Sequence, residues 1–459
     1  MSHAHFLARR KRLLQTIGNG VAIIPTAPEV VRNRDAHFPY RFDSYFWYLS
    51  GFPEPEAVIV LVGAQGKQKA KSILFCREKH EEREIWDGYR YGPKAAKTAF
   101  GFDGAYPIEQ LDQKLPELLV DRDSLWHAIG HDADWDQRIA KALNAVRAQT
   151  RAGKRAPRAI HDLRAELDAM RLTKDVAEAA IQQRAADIAS AGHARAMRAC
   201  RPGMAEYELE AELSYEFRKR GADAHAYTPI VAGGANACVL HYVENNKLLN
   251  DHTLVLIDAG CEVEGYAADI TRTFPANGRF TGPQRDLYDL VLASQDAAVA
   301  ATRPGNRFVD PHDATVKVLA QGMLDLGLLN KNDVGHLDDV IAQRHYFRFY
   351  MHRTGHWLGL DVHDVGSYVE PSELGQLSER KDPLSGETIK DRPSRILRPG
   401  MVLTIEPGLY VSPAPGVPEH FWNIGIRIED DAVVTEDGCE LITRGVPVKA
   451  DDIEAVMGE

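Results

Sequence analysis

The apolar positions change their spacing twice along the chain. Near the start, Phe6, Leu7, Leu13, Leu14 and Ile17 recur at helical intervals, which predicts an amphipathic first helix with Arg9-Arg10-Lys11-Arg12 as its solvated face. From residue 20 to about 125 the apolar residues gather instead in short runs between turn residues. Val21–Ile24, Ala57–Val62 and Ser72–Phe75 read as strands. Helical spacing then returns over one long tract, Ile160 to Ala199, with Leu163, Leu167, Met170, Ile181 and Ile188 among its apolar positions. Arg201-Pro-Gly203 stops it, since Pro and Gly terminate helices. A domain boundary is expected near residue 172, dividing the chain into 1–172 and 173–459; a chain of 459 residues is in any case too long for one ordinary core.

The second part carries a repeat. Arg-Pro-Gly recurs at 201–203, 303–305 and 398–400, and the first two occurrences each separate two helical patterns. Two apolar strands end in an acid, Thr253–Asp258 and Met401–Glu406. Each is followed by a strand carrying another, Tyr266–Thr271 with Asp269 and Ile424–Glu429. A duplicated helix-and-strand unit is the simplest account, with chance recurrence of a short signal as the alternative. The fold class is therefore α/β (α+β), a smaller α/β domain followed by one built of two like halves.

A carboxylate at the end of an apolar run is costly unless it is paired or holds a cation. Cys261-Glu-Val-Glu-Gly265 has the look of a hairpin connection. With Val263-Glu264 as its two-residue loop, Asp258 falls opposite Asp269, the two Cβ atoms within about 5.5 Å. Carboxylates so close raise each other's pKa unless cations lie between them. A neighbouring Arg272 or Arg427 would answer one such acid, but four in repeated contexts point to a shared polar centre.

The stretch His352-Arg-Thr-Gly-His-Trp-Leu-Gly-Leu-Asp-Val-His363 adds three histidines. The His-x3-His spacing is that of a zinc protease helix, but Arg353 stands where that motif needs Glu, and Gly355 and Gly359 argue against a helix. Four carboxylates and one imidazole form a hard, oxygen-rich set. It suits a pair of divalent ions, Mn²⁺ first, with Co²⁺ or Zn²⁺ as alternatives, that lower the pKa of a bridging water to give a hydroxide nucleophile.

Composition narrows the partners. A formal charge of −11 argues against nucleic acid and anionic membranes, and no apolar run approaches transmembrane length. The five cysteines are scattered and odd in number, which reads as reduced thiols in a cytoplasmic protein. The basic start, with no acid before Glu29, leaves a mitochondrial presequence as the alternative.

The set Asp258, Asp269, His356, Glu406 and Glu429 resembles the metal ligands of the creatinase/methionine aminopeptidase, or pita-bread, superfamily. The string 352–364, with Leu240-His-Tyr242, Ile257-Asp-Ala-Gly260, Asp269–Phe274, Ile405–Tyr410 and Gly425–Asp430, is similar to its proline peptidases. Arg32-Asn-Arg-Asp35 and Phe46–Phe52 resemble the leading domain of the aminopeptidase P family, so the likeness spans nearly the whole chain. It implies a pita-bread fold with pseudo-twofold halves and hydrolysis of N-terminal Xaa-Pro bonds in peptides with proline second. Asp258 would bind one metal, Asp269 and Glu429 both, and His356 and Glu406 the other, with Glu406 also moving the proton. His241 and His363 would hydrogen-bond the substrate carbonyl and His352 would line the pocket. Arg427 would steady a ligand carboxylate, and Tyr227, Tyr410 and Trp86 are weaker candidates around the pocket. Each of the three non-ligand histidines has an alternative as a hydrogen-bonded core residue, and Trp86 as a packing residue. Asp361 and Asp364 read as structural acids. The resemblance also implies a homo-oligomer, dimer or tetramer. Two departures stand out: Ser367–Arg398 is longer than in compact members and reads as a surface loop or lid, and Pro393-Ser-Arg-Ile-Leu397 lacks the first Arg of an Arg-Ser-Arg-Ile-Leu string. Prolidase, possessing the same metals and a possible organophosphate side activity, and a non-catalytic binding module are the competing readings.

Overall fold

The structure, a computed structural model, describes residues 1–459 and divides into two compact units, Met1–Met170 and Arg171–Glu459. The first unit is built on a six-stranded mixed sheet in the order Gly104–Pro107, Lys71–Cys76, Val58–Val62, Val21–Pro25, Ser124–Trp126, Ala159–His161. Its three central strands pair antiparallel, and the outer ones join in parallel. Val58–Val62 is buried along its whole length, which is why it reads as an unbroken apolar run rather than an alternation. Leu111, Leu115 and Leu119 from one helix and Ile139, Leu143 and Val146 from another close the core against Val21, Ile23, Val60 and Phe75.

The first helix, His3–Ile17, buries Phe6, Leu13 and Ile17, but it also buries Arg9 and Arg10, so only the Lys11 and Arg12 half of the basic run is a solvated face. Arg10 donates to the carbonyls of Leu49 at 2.8 Å, Phe100 at 2.9 Å and Gly101 at 2.8 Å. Those carbonyls end the helices Ser44–Ser50 and Gly92–Phe100, where no intrahelical donor remains. One guanidinium thus caps two helix C-termini, and burial lowers its pKa only to about 10.

The long helix expected from Ile160 to Ala199 is interrupted. Ala159–His161 is a strand, a helix follows over Leu163–Arg171, and a second runs from Val176 to Ala199. Asp175 starts the latter, accepting from the backbone N–H groups of Ala177 and Glu178, while Glu178 accepts from the Asp175 N–H. This Asp-x-x-Glu capping box is legible in the sequence and outweighs the continuing apolar periodicity. Just before it, Thr173 bridges to Met401 and the Lys174 N–H donates to the Gly400 carbonyl.

The second unit is duplicated. Helices Val176–Ala199 and Glu206–Lys219 flank the first Arg-Pro-Gly, and Gly282–Ala301 and Asp310–Asp325 flank the second. Strand Leu254–Asp258 pairs antiparallel with Thr271–Pro275, as Val402–Ile405 does with Asp430–Val434. A bridge between Thr271 and Glu429 joins the two halves. The stretch after Ser367 forms an exposed hairpin, Ser378–Lys381 with Thr388–Asp391, anchored by Arg344 donating to Asp382 at 2.7 Å. No helix is long and apolar enough to cross a membrane.

Candidate metal centre

The hairpin that carries the first two acids turns one residue later than expected. Glu264 and Gly265 form its loop, with φ of 49° and 81°. A two-residue turn with both φ positive needs glycine or a tolerant residue, so Gly265 belongs inside the loop rather than after it. Asp258 consequently lies opposite Thr271, and Asp269 sits two residues along the same face. The acids converge diagonally instead of directly.

Their meeting point is the Tyr227 hydroxyl, in contact with Asp258 Oδ1 at 2.5 Å and with Asp269 Oδ1. The other Asp258 oxygen accepts from Arg427 at 2.6 Å. Arg427 also donates to Thr271 Oγ1 at 3.2 Å, and Thr271 donates to Glu429 Oε2 at 2.6 Å. A third donation from Arg427 reaches the Tyr410 hydroxyl at 3.0 Å, which is 2.8 Å from His352 Nε2. His352 Nδ1 donates to the Arg353 carbonyl, and in the neutral ring Nε2 accepts from the Tyr410 hydroxyl. Burial and the Arg427 charge hold its pKa down at about 3.

His356 arrives from a loop, not a helix. A Cβ on Gly355 would lie 2.0 Å from the Thr404 carbonyl, so only glycine lets segment 354–356 run close beside 404–406. Backbone bonds Thr404 to His356 at 2.9 Å and Glu406 to Thr354 at 2.8 Å lock the two together. His356 Nδ1 donates to the Trp357 carbonyl, which turns Nε2 toward Asp269 Oδ2 at 3.5 Å and Glu406 Oε1 at 3.8 Å. Possible ligand atoms of Asp269, His356 and Glu429 all lie within 4.8 Å of one another.

The electrostatics express too many buried acids for one arginine. Burial raises Asp258 and pushes Glu406 up to about 7; Glu429 is driven well up by burial and then by Asp269 and Glu406. Asp269 is lowered despite its burial, because His356 and Tyr227 face it. His356 is pushed up to about 9 against its own burial by Asp269 and Glu406, standing as the local cation. Oxygen donors, one imidazole with its second nitrogen already committed, and a deficit of positive charge fit divalent ions.

The histidines divide as follows. His363 packs edge-on to His356 with ring centroids 4.3 Å apart, and the charges of His356 and His241 help burial to lower its pKa. Both His241 and His363 are exposed, whereas His352 is half-buried. Asp364 is buried between Arg171 at 2.6 Å and Lys174 at 2.9 Å, and Asp361 accepts from the same arginine at 2.8 Å. Trp86 belongs to the first unit, on helix Glu81–Asp87, where 84% of it faces solvent.

Two supporting residues were not anticipated. His193 Nε2 donates to the Ala259 carbonyl at 2.9 Å, next to Asp258. Gln295 Nε2 donates to the carbonyls of Ile405 at 3.1 Å and Ile428 at 3.2 Å, each immediately before an acid of the site. The signal was available in position: each stands eight residues before its Arg-Pro-Gly, at matching places in the two halves. The halves also brace each other. Asp431 accepts from the Asp269 N–H at 3.1 Å, and Arg272 donates to the Glu429 carbonyl at 2.6 Å.

Residues 180–436 match metallopeptidase family M24, and residues 6–126 match the aminopeptidase P N-terminal domain. A Xaa-Pro aminopeptidase of Escherichia coli (strain K12) is 44% identical over 458 residues, covering 100% of this chain and 98% of that protein. The structure of Pseudomonas aeruginosa aminopeptidase PepP matches with a TM-score of 0.92 at 45% identity, covering 100% of this chain and 98% of that one. Zinc-substituted Escherichia coli aminopeptidase P in complex with product matches with a TM-score of 0.92 at 44% identity and the same coverage.

Proposed function

The chain belongs to metallopeptidase family M24 with an aminopeptidase P domain before it, and on that premise we propose that it removes the first residue from peptides with proline in second place. The observation that supports this reading is the gathering of Asp269, Glu406 and Glu429, from two duplicated halves, around His356, with Asp258 joined to Asp269 through the Tyr227 hydroxyl. Asp269 and Glu429 would hold both of two cations, Asp258 would hold one of them, and His356 and Glu406 would hold the other. Two divalent ions held there, Mn²⁺ first, would supply Lewis-acid chemistry at the scissile carbonyl and would make a water easier to deprotonate.

The chain's own groups do the rest. Glu406, beside His356 and under Thr404, takes the proton of the attacking water and passes it to the leaving proline nitrogen. His241 and His363, exposed beside His356, would donate to the carbonyl oxygen as charge develops on it. Neutral His352 and Tyr410 form a wall for the proline ring, fixed in place through Arg427. A Xaa-Pro bond has no N–H at proline, so a site that recognises ring and free amine does not need to dock an extended backbone. A cytoplasmic location fits the five unpaired cysteines. The exposed cluster Ile85, Trp86 and Tyr89 fits cover by another copy in a homo-oligomer.

Hydrolysis of Gly-Pro, Xaa-Pro-Xaa and longer peptides by Mn²⁺-loaded wild type and Asp269→Asn tests this. The wild type is expected to cleave the longer peptides. The variant is expected to lose activity by about a thousandfold or more, together with bound metal measured by elemental analysis. Cleavage confined to the dipeptide makes the protein a prolidase instead, and a wild type that binds no metal overturns the proposal.

A further inference from the structure

A cavity of about 1190 Å³ opens beside the carboxylate site and shares His352, Thr354 and Thr404 with its walls. Thr404 stands between the two spaces: its Oγ1 accepts from the His356 N–H at 3.1 Å and donates to Glu406 at 3.4 Å. The opposite wall is the hairpin of the long 367–398 stretch, held down by Arg344 and Asp382. An aminopeptidase handles one residue on the amino side of the scissile bond and a chain of any length on the other. A space this large beside the site therefore serves the carboxyl side.

Its charge runs against that of the protein. The chain as a whole carries −11, yet five basic side chains line the cavity against three acids. Two of the basic groups are neutralised, Arg344 by Asp382 at 2.7 Å and Arg380 by Asp391 at 2.6 Å. Arg353, Lys381 and Arg392 remain, with no ion pair or side-chain hydrogen bond, and Asp313 is the only acid left to face them. Three exposed cations from two separate segments converge on a space next to the reacting centre. The long stretch lacks one arginine of the familiar string at Pro393, but it brings Lys381 and Arg392 to this wall instead.

We propose that this cavity is a carboxylate-selecting subsite, so that peptides with Glu, Asp or a free C-terminus one to three residues beyond the proline are preferred substrates. The inference rests on the peptidase reading above and specifies its substrate class. Arg353, Lys381 and Arg392 are specificity residues in it, not catalytic ones.

The test compares amidated Ala-Pro-Ala-Glu-Ala with its Gln and Lys counterparts, and Ala-Pro-Ala as free acid with its amide, which separates side-chain from C-terminal carboxylates. The Glu peptide is expected to exceed the Lys peptide about five- to twentyfold in kcat/KM, mostly through KM, as two or three exposed pairs would give. The preference should fade in about 0.5 M NaCl. In Arg392→Glu, and separately in Arg353→Ala, it should fall below about twofold while the Gln peptide is cleaved at the wild-type rate. Equal cleavage of Glu and Lys peptides by the wild type, or a preference that survives both variants, overturns the subsite while leaving the peptidase reading intact. Failure to cleave even the Gln peptide overturns that reading and the subsite with it.

Discussion

His193 and Gln295 occupy matching places in the two halves of the second unit, each fully buried on the first helix of its half and eight residues before an Arg-Pro-Gly. Both donate to backbone beside the acids, yet they differ in kind, and the local strand geometry explains why. In the first half, Asp258 closes a strand whose ladder continues through the Ala259 N–H to Ile270, and the Ala259 carbonyl takes the donor from His193. In the second half both acids sit at breaks. Glu406 falls between strands Val402–Ile405 and Gly408–Val411, and Glu429 between Ile424–Arg427 and Asp430–Val434. Two carbonyls, Ile405 and Ile428, take donors there with the Asp430 carboxylate beside them, and an amide with two hydrogens, one of them shared, serves the group. The number of carbonyls to be held decides the side chain.

The sharpest way to break this comparison is Gln295→Leu. It removes contacts to Ile405, Ile428 and Asp430 at once, and is expected to cost about 3 kcal/mol or more in denaturant unfolding and to weaken metal binding. His193→Leu removes one donor and should cost less, about 1–3 kcal/mol, with a smaller loss of metal affinity. Equal losses from the two would mean that carbonyl count is not what separates the halves.

His193→Gln sharpens the comparison by giving both halves the same clamp. Burial holds the His193 pKa down at about 4, below its unfolded value of 6.5. The unfolded chain therefore binds the proton first. Stability from keeping this ring neutral is fully present above pH 6.5 and is lost as pH falls toward 4, by up to about 3 kcal/mol. With chelator present, the Gln variant should lose less stability than the wild type between pH 6.5 and 4. Superimposable pH–stability curves would refute the assignment. The smallest effect is expected at the helix starts: Asp175→Ala removes the cap of the first half's helix and should cost about 1 kcal/mol without changing metal binding.

Much of this was legible from local pattern. Asp258 and Glu406 announce themselves as acids closing apolar runs, and the Arg-Pro-Gly recurrence marks the duplication, because both depend on neighbours in the chain. The hairpin turns one position later than the expected register, and Gly265 carries the reason: a turn with two positive φ values wants glycine in its second place. The capping box at Asp175 is likewise written in the sequence, inside a tract whose apolar periodicity runs on past it. Arg10 was not legible at all. A basic run looks like a solvated face unless one knows that two distant helices end beside it.

The sequence by itself determined which residues could form a metal centre and which strands carry them, since residue type and burial pattern are local properties. Tertiary structure alone decided how those residues meet: that Asp258 and Asp269 approach diagonally through Tyr227, that Gly355 lets His356 run beside Glu406, and that His193 and Gln295 hold the backbone behind them. Each depends on which carbonyl is left without a donor and which backbone comes within contact distance. Those quantities exist only once segments far apart in the chain have packed together.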